Sequence, residues 1–138
     1  MNAIYRIDGS RAETSPNAAG PWDASMQHGS APAALVTWAA EAIPTSVPMQ
    51  IVRLTIDLMR PVPVAPLTIR SEVLREGRKI QLCGISLLAD NVAVVRATVL
   101  KVRADSLRIE RRAILKFDPL AQGKRIGQAI LGNRPVSR

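Results

Sequence analysis

The two-residue alternation of apolar and polar side chains in residues 50–102 constrains the fold of this chain more than any other feature. A strand with one buried face shows this period, because successive side chains point to opposite faces. The predicted strands are residues 50–60, 67–74, 79–89 and 92–102, separated by the proline-rich stretch 61–66 and by turns at Glu76-Gly77 and Asp90-Asn91. Such short connections favour antiparallel neighbours, so the sequence predicts a long antiparallel meander.

One apolar helix is predicted before the meander, over residues 30–43. Ser30 is suited to the N-cap and Pro32 to the first turn, and Pro44 disfavours helical geometry in the residue before it. Thr37 and Glu41 form only a narrow polar stripe, which predicts a central helix enclosed by the rest of the fold. A short strand over residues 4–12, broken at Asp8-Gly9, and a loop over residues 14–25 are predicted upstream.

The net charge of +8 is concentrated at one end of the chain. Residues 1–102 hold ten Lys or Arg against eight Asp or Glu, whereas residues 103–138 hold nine against three. Aromatic residues, which stack on bases, make up only 3% of the chain. The sequence therefore predicts a basic tail and no nucleic-acid partner.

The cysteine, histidine and hydropathy patterns exclude several further classes of protein. The lone Cys83 permits no internal disulfide and, with no signal-like segment at the N-terminus, favours the cytoplasm. One histidine and one cysteine are too few for a zinc site, so no metal is expected. The longest apolar stretch, residues 31–43, is too short to span a membrane, so no membrane partner is expected.

Two stretches carry a resemblance to a known family. "GPWDASMQHGSAPAALVTWAAE" and "RLTIDLMRPVPVAPLTIRSEVLREGRKIQLCGISLLADNVAVVRATVLKVR" resemble the N-terminal hot-dog unit of acyl-CoA thioesterase II-like proteins, over about residues 3–103. The resemblance implies an α+β fold, a single hot-dog domain over residues 1–103 in which a long antiparallel sheet wraps one central helix. Residues 104–138 then form the basic C-terminal tail. Because such proteins usually carry two units, it also implies a homodimer or higher homo-oligomer, or a missing second unit.

The start of the predicted helix is the candidate site for thioester chemistry. The unpaired N–H groups and positive dipole end of a helix N-terminus attract a developing oxyanion, and Gly29 and Ser30 lie there. Gln27 and His28 are candidates for orienting the acyl group or the attacking water. Side chains of Leu35, Val52, Leu54 and Ile56 are expected to form apolar walls for an acyl chain. The last three share the predicted apolar face of the strand over residues 50–60 with Leu58.

The group that holds the attacking water is open between two residues. The segment also resembles the "HGGxxxxLxD" pattern of phenylacetyl-CoA thioesterase-like enzymes: His28 and Gly29 match, while Thr37 stands at the position of the carboxylate. Asp57, on the polar face of its strand, is the other candidate if that face meets a partner's site. The competing structural interpretation makes His28 a helix-entry side chain, Thr37 a partner of the backbone and Asp57 a solvated or ion-paired residue.

These observations predict an acyl-CoA thioesterase that releases a free acid and coenzyme A at a site between subunits. It needs no cofactor, since coenzyme A enters as part of the substrate. The alternatives are a non-catalytic acyl-CoA-binding or assembly subunit and an enoyl-CoA hydratase. The hydratase interpretation rests on Asp23 and His28, which loosely match the Asp-His pair that hydratases of this fold use.

Overall fold

The architecture comes from a computed structural model, which describes residues 3–104. Its elements are β1 (Tyr5–Asp8), β2 (Arg11–Thr14), a one-turn 3₁₀ helix (Pro16–Ala18), α1 (Ser30–Ala42), β3 (Met49–Leu58), β4 (Leu67–Glu76), β5 (Ile80–Ala89) and β6 (Val92–Arg103). The six strands form one antiparallel sheet in the order β1-β2-β4-β5-β6-β3, and α1 packs against β3, β4, β5 and β6. The predicted α+β arrangement of a meander and one helix is confirmed. The tail predicted for residues 104–138 lies, after Ala104, outside the described residues.

The turn between β5 and β6 shows how local sequence sets the register of the meander. Asp90 and Asn91 have φ of 47° and 63°, and they join the paired residues Ala89 and Val92. Positive φ at both central residues makes the turn twist in the same sense as the strands, and Asp and Asn tolerate that conformation better than most residues. The turn predicted at this dipeptide is therefore confirmed.

The N-terminal segment differs from its prediction. Instead of one broken strand, β1 and β2 form a tight antiparallel hairpin in which Tyr5 lies opposite Thr14 and Asp8 opposite Arg11. Gly9 has φ of 57°, a left-handed conformation that glycine adopts without steric cost. The chain thus turns at Gly9 and Ser10, directly after the predicted break, and the β2 strand continues the sheet by pairing with β4.

The bounds of α1 are close to those predicted, although its cap is different. Gly29 rather than Ser30 is the N-cap, and no side chain caps the helix there. The helix ends at Ala42, and Ile43 is extended, as expected for the residue before Pro44.

One side of α1 forms the centre of the core and the other side is open. Its buried residues are Ala31, Pro32, Leu35, Val36, Ala39 and Ala40, and they face the buried strand residues Cys83, Ile85, Leu87, Val95, Ala97 and Val99. On the opposite side, Ala34, Trp38 and Glu41 are exposed, and Trp38 is 45% exposed. The prediction of a helix enclosed on every side is therefore not met within one chain.

A bulge in the edge strand β3 changes the predicted faces. The register shifts between Ile51 and Arg53, which leaves Val52 out of the alternation and 51% exposed. Beyond the bulge, Leu54 lies opposite Val99 of β6, and this pair faces the same side of the sheet as α1. The predicted apolar face is correct from Leu54 onward, and its assignment of Val52 is wrong.

Within residues 3–104, no helix is long and apolar enough to cross a membrane.

A buried polar cluster closes the core at the C-terminal end of α1. Gln81, 1% exposed, donates from Nε2 to the Pro44 carbonyl and to Glu76 Oε2, each at 2.9 Å, and its Oε1 accepts from Cys83 Sγ at 3.3 Å. Beside it, the buried Lys101 ammonium donates to the carbonyl of residue 43 at 3.0 Å. A cation near the last helical carbonyls is favourable because the dipole of α1 is negative there.

We expect Gln81→Leu to lower the free energy of unfolding by about 1–3 kcal/mol, because three polar groups lose their buried partner. Urea unfolding followed by circular dichroism measures the change. Gln50→Leu, at an exposed position of β3, is the matched control and should change stability by less than about 0.5 kcal/mol. Equal stability of the two variants would contradict a structural role for the cluster.

Candidate functional site at the N-terminus of the helix

A short, hydrogen-bonded loop, residues 19–27, precedes the start of α1. Residues 19 and 27 pair in an antiparallel bridge, and the Gly20 N–H donates to the Met26 carbonyl at 2.7 Å. The His28 N–H then donates to the Ala18 carbonyl at 2.9 Å. The entry to the helix is therefore fixed by backbone contacts on both sides of the loop.

Gln27 anchors this entry to the rest of the sheet. Its Oε1 accepts a hydrogen bond from the Tyr5 hydroxyl, and its Nε2 donates to the Pro63 carbonyl at 2.8 Å and to Thr14 Oγ1 at 3.4 Å. Its backbone N–H donates to the Val62 carbonyl at 2.8 Å. Burial raises the pKa of the Tyr5 phenol, which keeps this donor protonated. The side chain of the predicted site residue Gln27 is thus fully engaged in tying the helix entry to β1, β2 and the stretch after β3.

Two consecutive backbone amides at the start of α1 point to an anion site. Within residues 3–104, the N–H groups of Gly29 and Ser30 have no acceptor, whereas the Ala31 N–H donates to the His28 carbonyl at 3.0 Å. Pro32 has no N–H. Unpaired donors at the positive end of a helix dipole stabilise negative charge on an approaching oxygen. The structure therefore places the two predicted amide donors side by side.

His28 and Ser30 form a contact over these amides. His28 Nδ1 and Ser30 Oγ are 2.6 Å apart, within hydrogen-bond distance, and the donor depends on the tautomer of the ring. Since His28 is partly exposed and Ser30 is exposed, a molecule in solvent can reach both side chains. The lone histidine is thus held at the helix entry by a neighbour two residues away.

Glycine at position 29 is required neither by backbone conformation nor by crowding. Its φ of −59° and ψ of −25° lie in the right-handed helical region that any residue adopts, and a Cβ there would meet only Leu58 Cδ1, at 3.9 Å. Leu58 is 55% exposed and lies at the end of the edge strand β3. The structure thus places the apolar side chain of Leu58 beside residue 29. The sequence predicts Leu58 on the apolar face of β3, but no local pattern indicates that the end of this strand reaches residue 29.

Neither Thr37 nor Asp57 lies beside the amides of Gly29 and Ser30. The Thr37 hydroxyl donates to the Ala33 carbonyl at 2.9 Å, and residue 37 lies about 12 Å along the helix axis from Gly29. Asp57 lies opposite Arg96, on the face of the sheet that points away from α1, in a groove that Glu72 also lines. Within one chain, the sheet separates Asp57 from the helix entry.

Asp23 is hydrogen-bonded within its own loop, and Cys83 lies in the core. Asp23 Oδ1 accepts from the backbone N–H and the hydroxyl of Ser25, at 2.8 and 2.6 Å, and these hydrogen bonds lower the pKa of the carboxyl. Cys83 is fully buried, and this burial raises the pKa of its thiol. Within the described part of the chain, no group of three His, Cys, Asp or Glu side chains is placed to hold a metal ion.

A comparison with family models matches residues 18–102 to the acyl-CoA thioesterase N-terminal domain. This match contains the entry loop, α1 and strands β3 to β5 entire, with nearly all of β6. A comparison with curated proteins finds no match.

Solved structures with the same fold share little sequence with this chain. The BH2602 protein from Bacillus halodurans, solved with CoA, is 16% identical with a TM-score of 0.58, and the match covers 74% of each chain. A hypothetical thioesterase from Streptococcus pneumoniae, solved with coenzyme A, is 14% identical with a TM-score of 0.59, covering 72% of this chain and 85% of that one. A mutant of the phenylacetic acid degradation protein PaaI from Thermus thermophilus is 18% identical with a TM-score of 0.60, covering 72% and 90%. The fold is therefore the hot-dog fold, and the chain belongs to the acyl-CoA thioesterase N-terminal domain family.

Proposed function

We propose that this protein hydrolyses an acyl-CoA thioester to a free acid and coenzyme A at the N-terminus of α1, in a site that a second copy of the chain completes. The observation that carries the proposal is the pair of unpaired amides at Gly29 and Ser30, which lie in the segment matched to the thioesterase domain. Two solved structures of the same fold contain coenzyme A, which supports an acyl-CoA as the ligand.

The amides act on the carbonyl oxygen of the thioester. As a water attacks the carbonyl carbon, negative charge grows on that oxygen, and the N–H groups of Gly29 and Ser30 donate to it. These donors are fixed before the reaction because Gln27 and the entry loop hold the helix start. Glycine at position 29 lets the thioester approach the backbone closely.

His28 is the side chain best placed to orient the attacking water. With the proton on Nδ1, the ring donates to Ser30 Oγ, and the lone pair of Nε2 is left to accept a proton from water. Gln27 is less suited to this task because its amide already binds Tyr5, Thr14 and Pro63. Thr37 holds a water only through its hydroxyl lone pairs, since its proton is donated within the helix.

The edge strand β3 is the proposed contact between subunits. It is the last strand of the sheet, so one row of its backbone N–H and C=O groups has no strand partner within residues 3–104. Exposed apolar side chains accompany that edge: Val52, Leu54, Leu58 and the adjoining Met59. Pairing with a second β3 satisfies the backbone groups and covers the apolar side chains. It also brings a partner to the Gly29 and Leu58 end of the site.

The acyl chain is proposed to follow the side of β3 that faces α1. Leu54, Ile56 and Leu58 share that side and are at least partly exposed. The two other residues predicted as walls are not part of this proposed path. Leu35 is buried in the core, and Val52 belongs to the bulge. Asp57 contributes to a water site only if its face of the sheet meets a partner.

A non-catalytic acyl-CoA-binding subunit is the second candidate. Two observations favour it: Thr37 replaces the carboxylate of the related pattern, and Asp57 faces away from the amides. The hydratase alternative has less support, because His28 contacts Ser30, Asp23 Oδ1 binds Ser25, and no hydrogen bond joins Asp23 to His28 within residues 3–104.

Turnover of an acyl-CoA panel, followed by capture of the released thiol, tests the proposed reaction. We expect measurable hydrolysis by the wild type and a loss of about 100-fold in kcat for His28→Ala, typical of removing a group that orients or deprotonates water. Thr37→Ala and Asp57→Asn report whether either residue holds the water. Thr68→Ala, on the sheet face away from α1, is the control. Absence of wild-type turnover together with saturable acyl-CoA binding would establish the second candidate instead.

Gly29→Ala tests whether Gly29 is needed for the reaction or for the stability of the fold. Because the new methyl group makes only an ordinary contact with Leu58, we expect the free energy of unfolding to change by less than about 1 kcal/mol. The methyl group lies where the thioester approaches, so kcat/KM should fall by about tenfold or more. Gly77→Ala, whose Cβ would meet Ile80 at 3.6 Å in the β4–β5 turn, is the matched control. Unchanged kcat/KM in Gly29→Ala would place the reaction elsewhere.

The proposed dimer is tested at its edge strand. The double variant Val52→Glu, Leu54→Glu places two charges on the β3 edge, where desolvation and like-charge repulsion oppose pairing. We expect the molar mass measured by light scattering to be that of a folded monomer for this variant and that of a dimer or larger assembly for the wild type. Val73→Glu changes an equally exposed valine of β4, away from that edge, and should leave the assembly intact. A monomeric wild type would contradict the shared site.

A further inference from the structure

Trp22 is the most exposed large apolar side chain among the described residues, at 95%. Indole rings normally bury most of their surface, because each offers a large apolar area. A fully exposed indole beside a proposed ligand site is therefore a candidate contact for a flat, apolar part of that ligand.

The exposure of Trp22 is held in place by an ordered loop. The Met26 N–H donates to the Asp23 carbonyl at 3.1 Å, and the Gly20 N–H donates to the Met26 carbonyl at 2.7 Å. The Ser25 carbonyl accepts from the Val64 N–H at 2.7 Å. A loop tied in this way fixes the backbone position from which the ring projects into solvent.

The residue that follows Trp22 supplies a hydrogen-bond acceptor. Both hydrogen bonds from Ser25 go to Oδ1 of Asp23, and Oδ2 has no partner among residues 3–104. An aromatic face combined with a carboxylate oxygen matches adenine, which offers a π-face and an exocyclic amine donor. Because Asp23 and the phosphates of a nucleotide are both negatively charged, Trp22 and Asp23 recognise only the base.

Trp22 lies within reach of a coenzyme A molecule whose thioester is at the amides of Gly29 and Ser30. It is three residues beyond the bridge between residues 19 and 27, at most about 10 Å at the rise of extended chain. The other end of this bridge leads directly to His28 and Gly29. The pantetheine arm is a flexible chain between the thioester and the nucleotide, so one bound molecule can bend to reach both places.

We infer that Trp22 and Asp23 form the adenine-binding element for acyl-CoA. The indole ring stacks on the adenine face, and Asp23 Oδ2 accepts from the exocyclic amine. This inference rests on the proposed function, since it assigns the nucleotide end of the same substrate. It concerns residues that take no part in the chemistry at the thioester.

Fluorescence tests the stacking without any need for catalysis. The chain has two tryptophans, so Trp38→Phe leaves Trp22 as the only indole. Coenzyme A should quench the emission of this variant in a saturable way, whereas pantetheine should not. Calorimetry on the same samples measures binding independently. Binding of coenzyme A without a change in Trp22 emission would overturn the inference, whether or not the protein hydrolyses thioesters.

Kinetics separate adenine recognition from a structural effect of the loop. Trp22→Ala should raise KM for acyl-CoA by about tenfold and leave kcat within twofold, because base stacking on an aromatic side chain contributes binding alone. The same variant should hydrolyse the acyl N-acetylcysteamine thioester, which lacks the nucleotide, as well as the wild type does. Trp22→Phe should recover most of the affinity. Equal losses on both substrates, or a changed subunit count in Trp22→Ala, would overturn the inference and point to packing against a partner.

The carboxylate has its own test. The wild type should prefer coenzyme A to its inosine analogue, in which a carbonyl oxygen replaces the exocyclic amine. Asp23→Asn keeps an oxygen for Ser25 and turns the other atom into a donor, so the preference should shrink or reverse. An unchanged preference would remove Asp23 from the binding element.

Discussion

The burial of one side of α1 against the middle of the sheet is the interaction on which the rest of this structure depends. Small and aliphatic residues such as Val36 and Ala39 let the helix lie close to the buried faces of β5 and β6. Removal of this apolar area from water is the main favourable term in folding. Because the packing also fixes the axis of α1, it sets where the two ends of the helix dipole lie.

The backbone groups at the two ends of α1 differ in their hydrogen bonding. At the C-terminal end, Lys101 and Gln81 satisfy the carbonyls of residues 43 and 44 in a buried cluster. At the N-terminal end, the amides of Gly29 and Ser30 are left unpaired within residues 3–104 and face solvent beside Leu58. A helix that is capped at one end and open at the other offers its positive end to a ligand. This asymmetry is the physical basis of the proposed thioester site.

Much of the fold followed from local signals in the sequence. The meander could be predicted because the alternation of side chains has the period of a strand, and the turn at Asp90-Asn91 because few residues adopt positive φ at low cost. The β1–β2 hairpin was missed because each of its strands is only four residues long, too short for a clear alternation, whereas the bulge at Val52 depends on pairing with the distant strand β6. In the candidate site, Gly29 and Ser30 were identified from the helix start, whereas the contact of Tyr5 with Gln27 links residues 22 apart and has no local signal.

By itself, the sequence determined the order of elements, the position of the helix entry and the family resemblance, because propensity, periodicity and turn chemistry act over a few residues. The tertiary structure decided which of the candidate residues lie near one another. It placed Leu58 beside Gly29, held Gln27 as an anchor and put Asp57 on the far face of the sheet. Faces and neighbours of this kind depend on strand order and register, which arise only when the whole chain packs together.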